Sequence, residues 1–215
     1  MIVQIYEISS PDEAKKMAEI GVDHVGVLIG KGKYPRELSI EEAKMIFQSL
    51  PPKVKKVALS LSDDLEEISE IIDQLCPDIL HLGITEEFLP LAKVEEIREK
   101  YPELRIMRAI AVINEESVRL SQKYEKIVDY LLLDTYKVQF GATGETHDWV
   151  ISRKIVDSVK IPVILAGGLG PDNVAEAIKK VRPAGVDSKT KTDKSGTHQK
   201  DIEKVKEFVR IAKSL

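Results

Sequence analysis

Residues 162–187 read PVILAGGLGPDNVAEAIKKVRPAGVD, and this stretch contains one complete strand–helix–strand unit. The apolar run Pro162–Ala166 predicts a buried strand, and the pair of glycines after it marks a turn. The stretch Pro171–Val181 predicts a helix that begins with a proline. The short run Gly185–Asp187 predicts the next strand. A helix between two such strands is typical of a parallel sheet.

The same alternation continues along the rest of the chain. Eight strand-like runs can be identified, and each precedes a helix-like segment: Ile2–Ile8, His24–Ile29, Val54–Leu61, Asp78–Leu82, Leu104–Val112, Val128–Asp134, Pro162–Ala166 and Gly185–Asp187. Strands rich in Val, Ile and Leu suit a sheet that is buried on both faces. Eight such units in 215 residues predict an α/β protein with a single (βα)8 TIM-barrel domain over residues 1–215. A doubly wound open sheet is the alternative.

The composition limits the possible partners and the cellular compartment. The net charge of −4 argues against nucleic acid or an anionic membrane as the main partner. Cys76 is the only cysteine, so no internal disulfide can form, and neither a secretory signal nor a long apolar run is present. We therefore expect a cytoplasmic protein. The abundance of Lys and Glu is common in proteins of hyperthermophiles.

Two features at the predicted carboxyl ends of strands point to chemistry, because barrel active sites lie there. Asp134 ends the apolar run Val128–Asp134, where a carboxylate either takes part in catalysis or caps the following loop. Gly167 and Gly168 follow the seventh strand and precede a helix start. Such a turn either binds phosphate through backbone N–H groups or is only a tight connection. The four histidines show no metal-ligand spacing, so we expect neither a metal nor a cofactor.

The second half of the chain resembles the phosphoribosylanthranilate isomerase family. Residues 131–149, LLLDTYKVQFGATGETHDW, are similar to that family's strand-six aspartate and the glycine-threonine loop after it. Residues 166–187 are similar to its Gly-Gly-Leu-x-Pro-x-Asn-Val loop, the following helix and a Val-Asp strand. Residues 34–43, YPRELSIEEA, match its second loop.

The resemblance implies an Amadori rearrangement of a phosphorylated ribosyl amine. An acid protonates the furanose ring oxygen, the ring opens to a protonated imine, and a base removes the proton from C2. By resemblance Asp134 is the acid, and burial would raise the pKa of its carboxyl in the required direction. The implied substrate and phosphate contacts are Arg36, Arg108 (where the family usually has lysine), Gly144, Gly167, Gly168, Ser188, Lys189 and Thr190.

The first strand departs from the family at the base. The family has Lys-Ile-Cys-Gly where this chain has Gln4-Ile5-Tyr6-Glu7, so Tyr6 replaces the cysteine and Glu7 the glycine. Tyrosine has a pKa near 10 and would need a downward shift of about three units to act at neutral pH. Glu7 has a suitable pKa, but strand alternation predicts that it faces away from the direction of Tyr6. Both remain candidates for the base.

Strands four and eight also depart from the family. His81 occupies the opposite face from the family's strand-four histidine, which suggests a supporting residue. After the eighth strand, Lys189 and Lys191 replace a Ser-Gly pair. These lysines belong either to a solvated loop or to a more cationic anion site.

Three functions are compatible with these residues. The first is an active isomerase with a replaced base, acting as a monomer or homodimer on a phosphorylated small molecule. The second is a paralogue that acts on, or only binds, a different phosphorylated metabolite. The third is a ligand-binding or structural protein whose barrel has lost its catalytic activity, which the presence of Asp134 argues against. We therefore expect an enzyme, an intramolecular oxidoreductase of the isomerase type.

Overall fold

Parallel strands form the centre of the molecule. The computed structural model describes residues 1–83, 85–135 and 146–215. Its strands are β1 (Ile2–Ile5), β2 (His24–Ile29), β3 (Lys55–Ser60), β4 (Ile79–Leu82), β5 (Arg105–Val112), β6 (Tyr130–Thr135), β7 (Val163–Leu165) and β8 (Gly185–Ser188). Each strand pairs in parallel with the next, and β8 pairs with β1, which closes the barrel. The predicted (βα)8 barrel is confirmed, and the open sheet is wrong because β1 and β8 pair with each other.

Helices follow the strands and cover the outside of the barrel. They are α1 (Pro11–Ile20), α2 (Ile40–Gln48), α3 (Leu65–Leu75), α4 (Leu91–Lys100), α5 (Glu115–Tyr124), α6 (Trp149–Ser158), α7 (Val174–Val181) and α8 (Ile202–Lys213). The spacing of Ser39 and Glu42 in the sequence resembles a capping box, and in the structure the two residues cap each other's backbone N–H groups at the start of α2. Among the described residues, no helix has the length and apolar character needed to cross a membrane.

Two element boundaries differ from the prediction in ways that matter for the site. The first strand ends at Ile5, three residues early, because Glu7 adopts a left-handed backbone with φ of 57°. A residue in that conformation cannot continue a strand. The sequence predicts that the fourth helix begins at Thr85, but α4 begins at Leu91, because Pro90 disfavours helical backbone in the residue before it.

The apolar core has two parts. The larger part lies between the strands and the helices. The smaller part fills the barrel interior, and Tyr6 belongs to it together with residues such as Val57, Met107 and Leu132. The Tyr6 ring lies where a side chain on Gly26 would be, so the glycine on β2 makes room for it. An aromatic ring therefore fills the interior just below the carboxyl ends of the strands.

Candidate active site

A cavity of about 750 Å³ opens at the carboxyl ends of the strands. Nearly all of the residues that the sequence predicts for the site line it: Tyr6, Glu7, Arg36, Arg108, Asp134, Gly167, Gly168, Ser188, Lys189 and Thr190. Gly144 lies outside the described residues. The cavity has the size of a pocket for a small organic ligand.

Asp134 lies at the end of β6 and borders the cavity. Its side chain is exposed and its carboxyl opens into the cavity, but neighbouring protein atoms remove part of its hydration. This desolvation raises the pKa of Asp134, and a 2.7 Å hydrogen bond from the backbone N–H of Thr135 partly opposes the shift. A carboxyl that retains its proton more readily than usual is suited to act as a general acid.

Asp187 at the end of β8 is a second carboxyl of the same site. It is buried, and burial followed by the negative charge of Asp134 raises its pKa to about 8. Both carboxyls border the same cavity, and the charge of Asp134 adds to the effect of burial on Asp187. Such a pair retains one proton over a range of pH, because ionising both members places two negative charges together.

A hydrogen-bond chain inside the barrel fixes the orientation of Asp187. Gln4 Nε2 donates to Asp187 Oδ1 at 3.2 Å, and Gln4 Oε1 lies 3.0 Å from His24 Nδ1. Burial lowers the pKa of His24 to about 4, so its ring is neutral near pH 7 and donates from Nδ1. Because Gln4 carries no charge, its hydrogen bond to Asp187 brings no positive charge that would favour ionisation of the carboxyl.

Tyr6 is bound to His81 in the barrel interior. The Tyr6 hydroxyl lies 2.5 Å from His81 Nδ1. Burial, followed by the charge of Asp187, raises the pKa of Tyr6 well above 10.0. This shift is opposite to the one that a base needs, which argues against Tyr6 as the base.

His81 serves as the partner of this phenol. Burial, with a contribution from the charge of Arg108, lowers the pKa of His81 to about 3. The neutral ring accepts the phenol proton at Nδ1 and carries its own proton on Nε2. The supporting role that the sequence suggests agrees with this contact.

Glu7 faces the cavity, contrary to the prediction from strand alternation. Its left-handed backbone breaks the alternation, and its carboxylate accepts two hydrogen bonds from Arg36, one of them 3.1 Å from Nη2 to Oε1. Lys189 Nζ lies 3.4 Å from Glu7 Oε2. Burial alone would raise the pKa of Glu7, but the hydrogen bond and charge of Arg36 and the charge of Lys189 lower it. A carboxylate held in this way is a weak proton acceptor.

Lys189 fits neither of the two readings of the eighth loop. Its side chain is only 8% exposed, which excludes a solvated lysine. The ammonium lies between Glu7 and Asp193, and Asp193 also pairs with the buried Lys200 at 2.5 Å. The charge of Lys189 is therefore largely neutralised within the chain.

The glycine turn after β7 is joined to the end of β8. Gly167 and Gly168 have φ values of 81° and 61°, which favour glycine at both positions. Asn173 holds the turn, because its side chain bonds the carbonyl of Gly168 at 3.0 Å and the N–H of Gly170 at 2.9 Å. Ser188 Oγ donates to the carbonyl of Leu169 at 2.6 Å, which ties the two loops together. The start of α7 lies beside this turn, in the arrangement typical of barrel phosphate sites.

Arg108 borders the cavity from behind β5. Its guanidinium donates to the carbonyls of Leu82 and Leu89 and lies over the ring of Tyr124 on α5, 5.1 Å from the ring centre. These contacts hold the segment after β4 against the barrel. Arg108 also lines the cavity, so the expected contact with substrate stays a prediction.

The sequence prediction missed Asp187 and Gln4 as site residues. Asp187 carries the same signal as Asp134, a carboxylate at the end of a buried strand, and that signal could have identified it. Gln4 is a polar residue within an apolar strand, which also indicates a buried hydrogen bond. In the described ranges, no group of three or more His, Cys, Asp or Glu side chains could hold a metal ion.

Comparisons with known proteins place this geometry in a family. Residues 3–211 match the family model described as N-(5'phosphoribosyl)anthranilate (PRA) isomerase. A protein of that name from Methanopyrus kandleri is 35% identical over 223 residues, covering 99% of each chain. The crystal structure of phosphoribosyl anthranilate isomerase from Thermotoga maritima is 30% identical, with a TM-score of 0.86 over the whole of both chains. A further structure of phosphoribosyl anthranilate isomerase, in complex with reduced 1-(O-carboxyphenylamino)-1-deoxyribulose 5-phosphate, is 28% identical with a TM-score of 0.83, also over the whole of both chains.

Proposed function

The chain belongs to the N-(5'-phosphoribosyl)anthranilate isomerase family, and from this premise we propose that it isomerises a phosphoribosyl amine to the corresponding ketose. The reaction is an Amadori rearrangement that opens the furanose ring and moves a proton from C2. The observation that carries the proposed mechanism is the carboxyl pair of Asp134 and Asp187, which border one cavity. Burial, followed by the charge of Asp134, raises the pKa of Asp187 to about 8.

In the first step, Asp134 donates its proton to the furanose ring oxygen. The bond between C1 and this oxygen breaks, and the nitrogen lone pair forms the C1–N double bond of a protonated imine. Desolvation of Asp134 supports this role, because it keeps more of the carboxyl protonated and able to donate near neutral pH.

In the second step, a base removes the proton from C2, and the C–H electron pair forms an enolamine with C1. We propose Asp187 as this base, because the pKa of Tyr6 is raised and Glu7 is engaged by two cations. Asp187 acts in the form of the pair in which Asp134 holds the single proton, which is the minor form near neutral pH because the pKa of Asp187 is about 8. The enolamine then becomes the ketose by proton transfer within the site. The reaction consumes and returns one proton, so a carboxyl pair that holds one proton can complete both steps.

The phosphate of the substrate would bind at the glycine turn after β7. Gly167 and Gly168 allow close backbone approach, and the N-terminus of α7 supplies positive potential. Ser188 and Thr190 border the same end of the cavity. Gly144, in the loop after β6, remains a substrate contact proposed from the resemblance alone.

We also propose the setting in which this activity operates. The chain would act as a single barrel domain in the cytoplasm, as a monomer or homodimer, on a phosphorylated small molecule. These statements rest on the family and on the predicted domain limits.

The test is turnover of phosphoribosylanthranilate by the purified protein in heavy water, followed by NMR. We expect conversion to the ketose with deuterium at C1, because C1 takes up a hydrogen when the enolamine becomes the ketone, while C2 becomes the carbonyl carbon. The variants Asp134→Asn and Asp187→Asn should lose this activity. Asp12→Asn is the matched control, because that carboxylate is 88% exposed on α1. Lack of turnover by the unaltered protein would refute the proposal.

A further inference from the structure

The carboxylate of Glu7 occupies N–H donors of Arg36 that a carboxylate on a ligand could otherwise use. Arg36 presents Nε and Nη2 to the two carboxylate oxygens of Glu7 in the bidentate arrangement that guanidinium groups form with carboxylates. Lys189 adds a third N–H donor at 3.4 Å. The contact shows that Arg36 is oriented to bind a carboxylate at the edge of the cavity.

The backbone at both partners is unusual. Glu7 and Arg36 have φ values of 57° and 70°, in the left-handed region that non-glycine residues seldom occupy. The other described non-glycine residues with positive φ, Cys76 and Arg182, end helices α3 and α7, where this conformation is common. Glu7 and Arg36 lie in loops at the cavity instead. Strain that is concentrated in this way at a cavity is typical of functional residues.

The pair of Glu7 and Arg36 lies at the same cavity as the proposed catalytic groups. Glu7 follows β1, Arg36 follows β2 and Lys189 follows β8, so the three side chains meet across neighbouring strands of the barrel. The negative charge of Glu7 also contributes to raising the pKa of Asp187. A substrate whose phosphate lies at the turn after β7 and whose reacting carbons lie at Asp134 and Asp187 would extend its amine moiety into the remaining cavity that this pair borders.

We propose that Glu7 is an internal competitor for Arg36 that makes the site select against substrates with a carboxylate on the amine moiety. This inference rests on the proposed function, which supplies the substrate orientation. A carboxylate on the ligand needs the same N–H donors as Glu7. To bind there it must displace Glu7 and leave that charge without its partners, which costs affinity. A ligand with an uncharged amine moiety avoids this competition.

The experiment compares the binding of two ligands by calorimetry. One is reduced 1-(O-carboxyphenylamino)-1-deoxyribulose 5-phosphate, and the other is the same compound without its carboxyl group. The readout is the ratio of the two dissociation constants, because it cancels any effect of Glu7 on the shared phosphate. In the unaltered protein we expect the ligand without the carboxyl group to bind more tightly, by about threefold or more, because it does not have to displace Glu7.

The variant Glu7→Gln should shift this ratio at least about tenfold in favour of the carboxylated ligand. Glu7→Gly should act in the same direction, and it also suits the left-handed backbone, which guards against a folding defect. Adding Arg36→Ala to Glu7→Gln should abolish the gain. The matched control is Glu41→Gln, which removes an exposed carboxylate from α2 and should leave the ratio unchanged.

The outcomes separate this inference from the proposed function. Turnover by the unaltered protein with a ratio that Glu7→Gln does not change would overturn the selectivity alone. Failure of both ligands to bind both the unaltered protein and Glu7→Gln would contradict the selectivity and the proposed function together.

Discussion

The two halves of the cavity differ in how their polar groups are satisfied. On the side of β6, β7 and β8, Asp134 and Asp187 face the cavity with raised pKa values and the glycine turn lies beside them. On the side of β1, β2 and β4, the polar groups bind one another, as Tyr6 does with His81 and Glu7 does with Arg36. On the second side, Tyr6 and Glu7 stand where the family has cysteine and glycine, and each of them binds a partner within the chain. The comparison teaches that these departures from the family are coupled to the residues around them.

The largest expected effect is loss of turnover from the carboxyl side. Asp134→Asn and Asp187→Asn should each lower kcat by roughly 10²-fold or more, because each removes a proton-transfer group. Steady-state kinetics on the isomerase substrate measures this effect, with Asp12→Asn as the exposed control. Normal turnover in either variant would remove that residue from the mechanism.

The opposite side should respond in stability and not in turnover. Tyr6→Phe leaves His81 Nδ1 buried without its hydrogen bond, which should lower the free energy of unfolding by about 1–3 kcal/mol. We expect kcat to change less than about threefold, because the phenol transfers no proton in this mechanism. Urea unfolding and kinetics on the same preparation measure both quantities. A loss of kcat by roughly 10²-fold would return Tyr6 to the catalytic groups.

Stability should depend on pH through Asp187. Its pKa is about 8 in the folded chain, against 3.8 for an aspartate in water, so between these pH values the folded state holds a proton that the unfolded state has released. The stabilisation is complete below the lower value and is lost as the pH rises through the upper one. We expect the unfolding free energy to fall by up to about 1.4 kcal/mol per pH unit in this window.

The variant Asp187→Asn provides the control for this pH effect, because asparagine does not titrate. Its unfolding free energy should be flatter between the same pH values than that of the unaltered protein. Identical slopes for the two proteins would show that Asp187 does not carry the raised pKa.

The smallest expected effect comes from Gln4. Its hydrogen bond lowers the pKa of Asp187 against the effect of burial. Gln4→Leu removes that bond and should move the alkaline limb of the pH–rate profile upward by less than about one unit, the scale of one neutral hydrogen bond. A downward movement of the limb would contradict this assignment.

The sequence predicted the barrel well because alternating apolar runs and amphipathic segments define it directly. Asp134 and the glycine turn were also predicted, since both follow apolar strands. The conformation of Glu7 was not, because strand periodicity gives no sign of a left-handed residue such as the one that ends β1. The partners of Tyr6, Glu7 and Lys189 come from other strands and loops, so only tertiary structure brings those contacts together.

The pH dependence of kcat from about pH 5 to about pH 11, for the unaltered protein and Tyr6→Phe, tests the central claim most directly. If the Asp134 and Asp187 pair carries both proton transfers, kcat should decline above about pH 8, where the pair loses its proton, and the two profiles should coincide. A kcat that rises above about pH 9 in the unaltered protein and is lost in Tyr6→Phe would identify the phenolate as the base. That result would contradict the account.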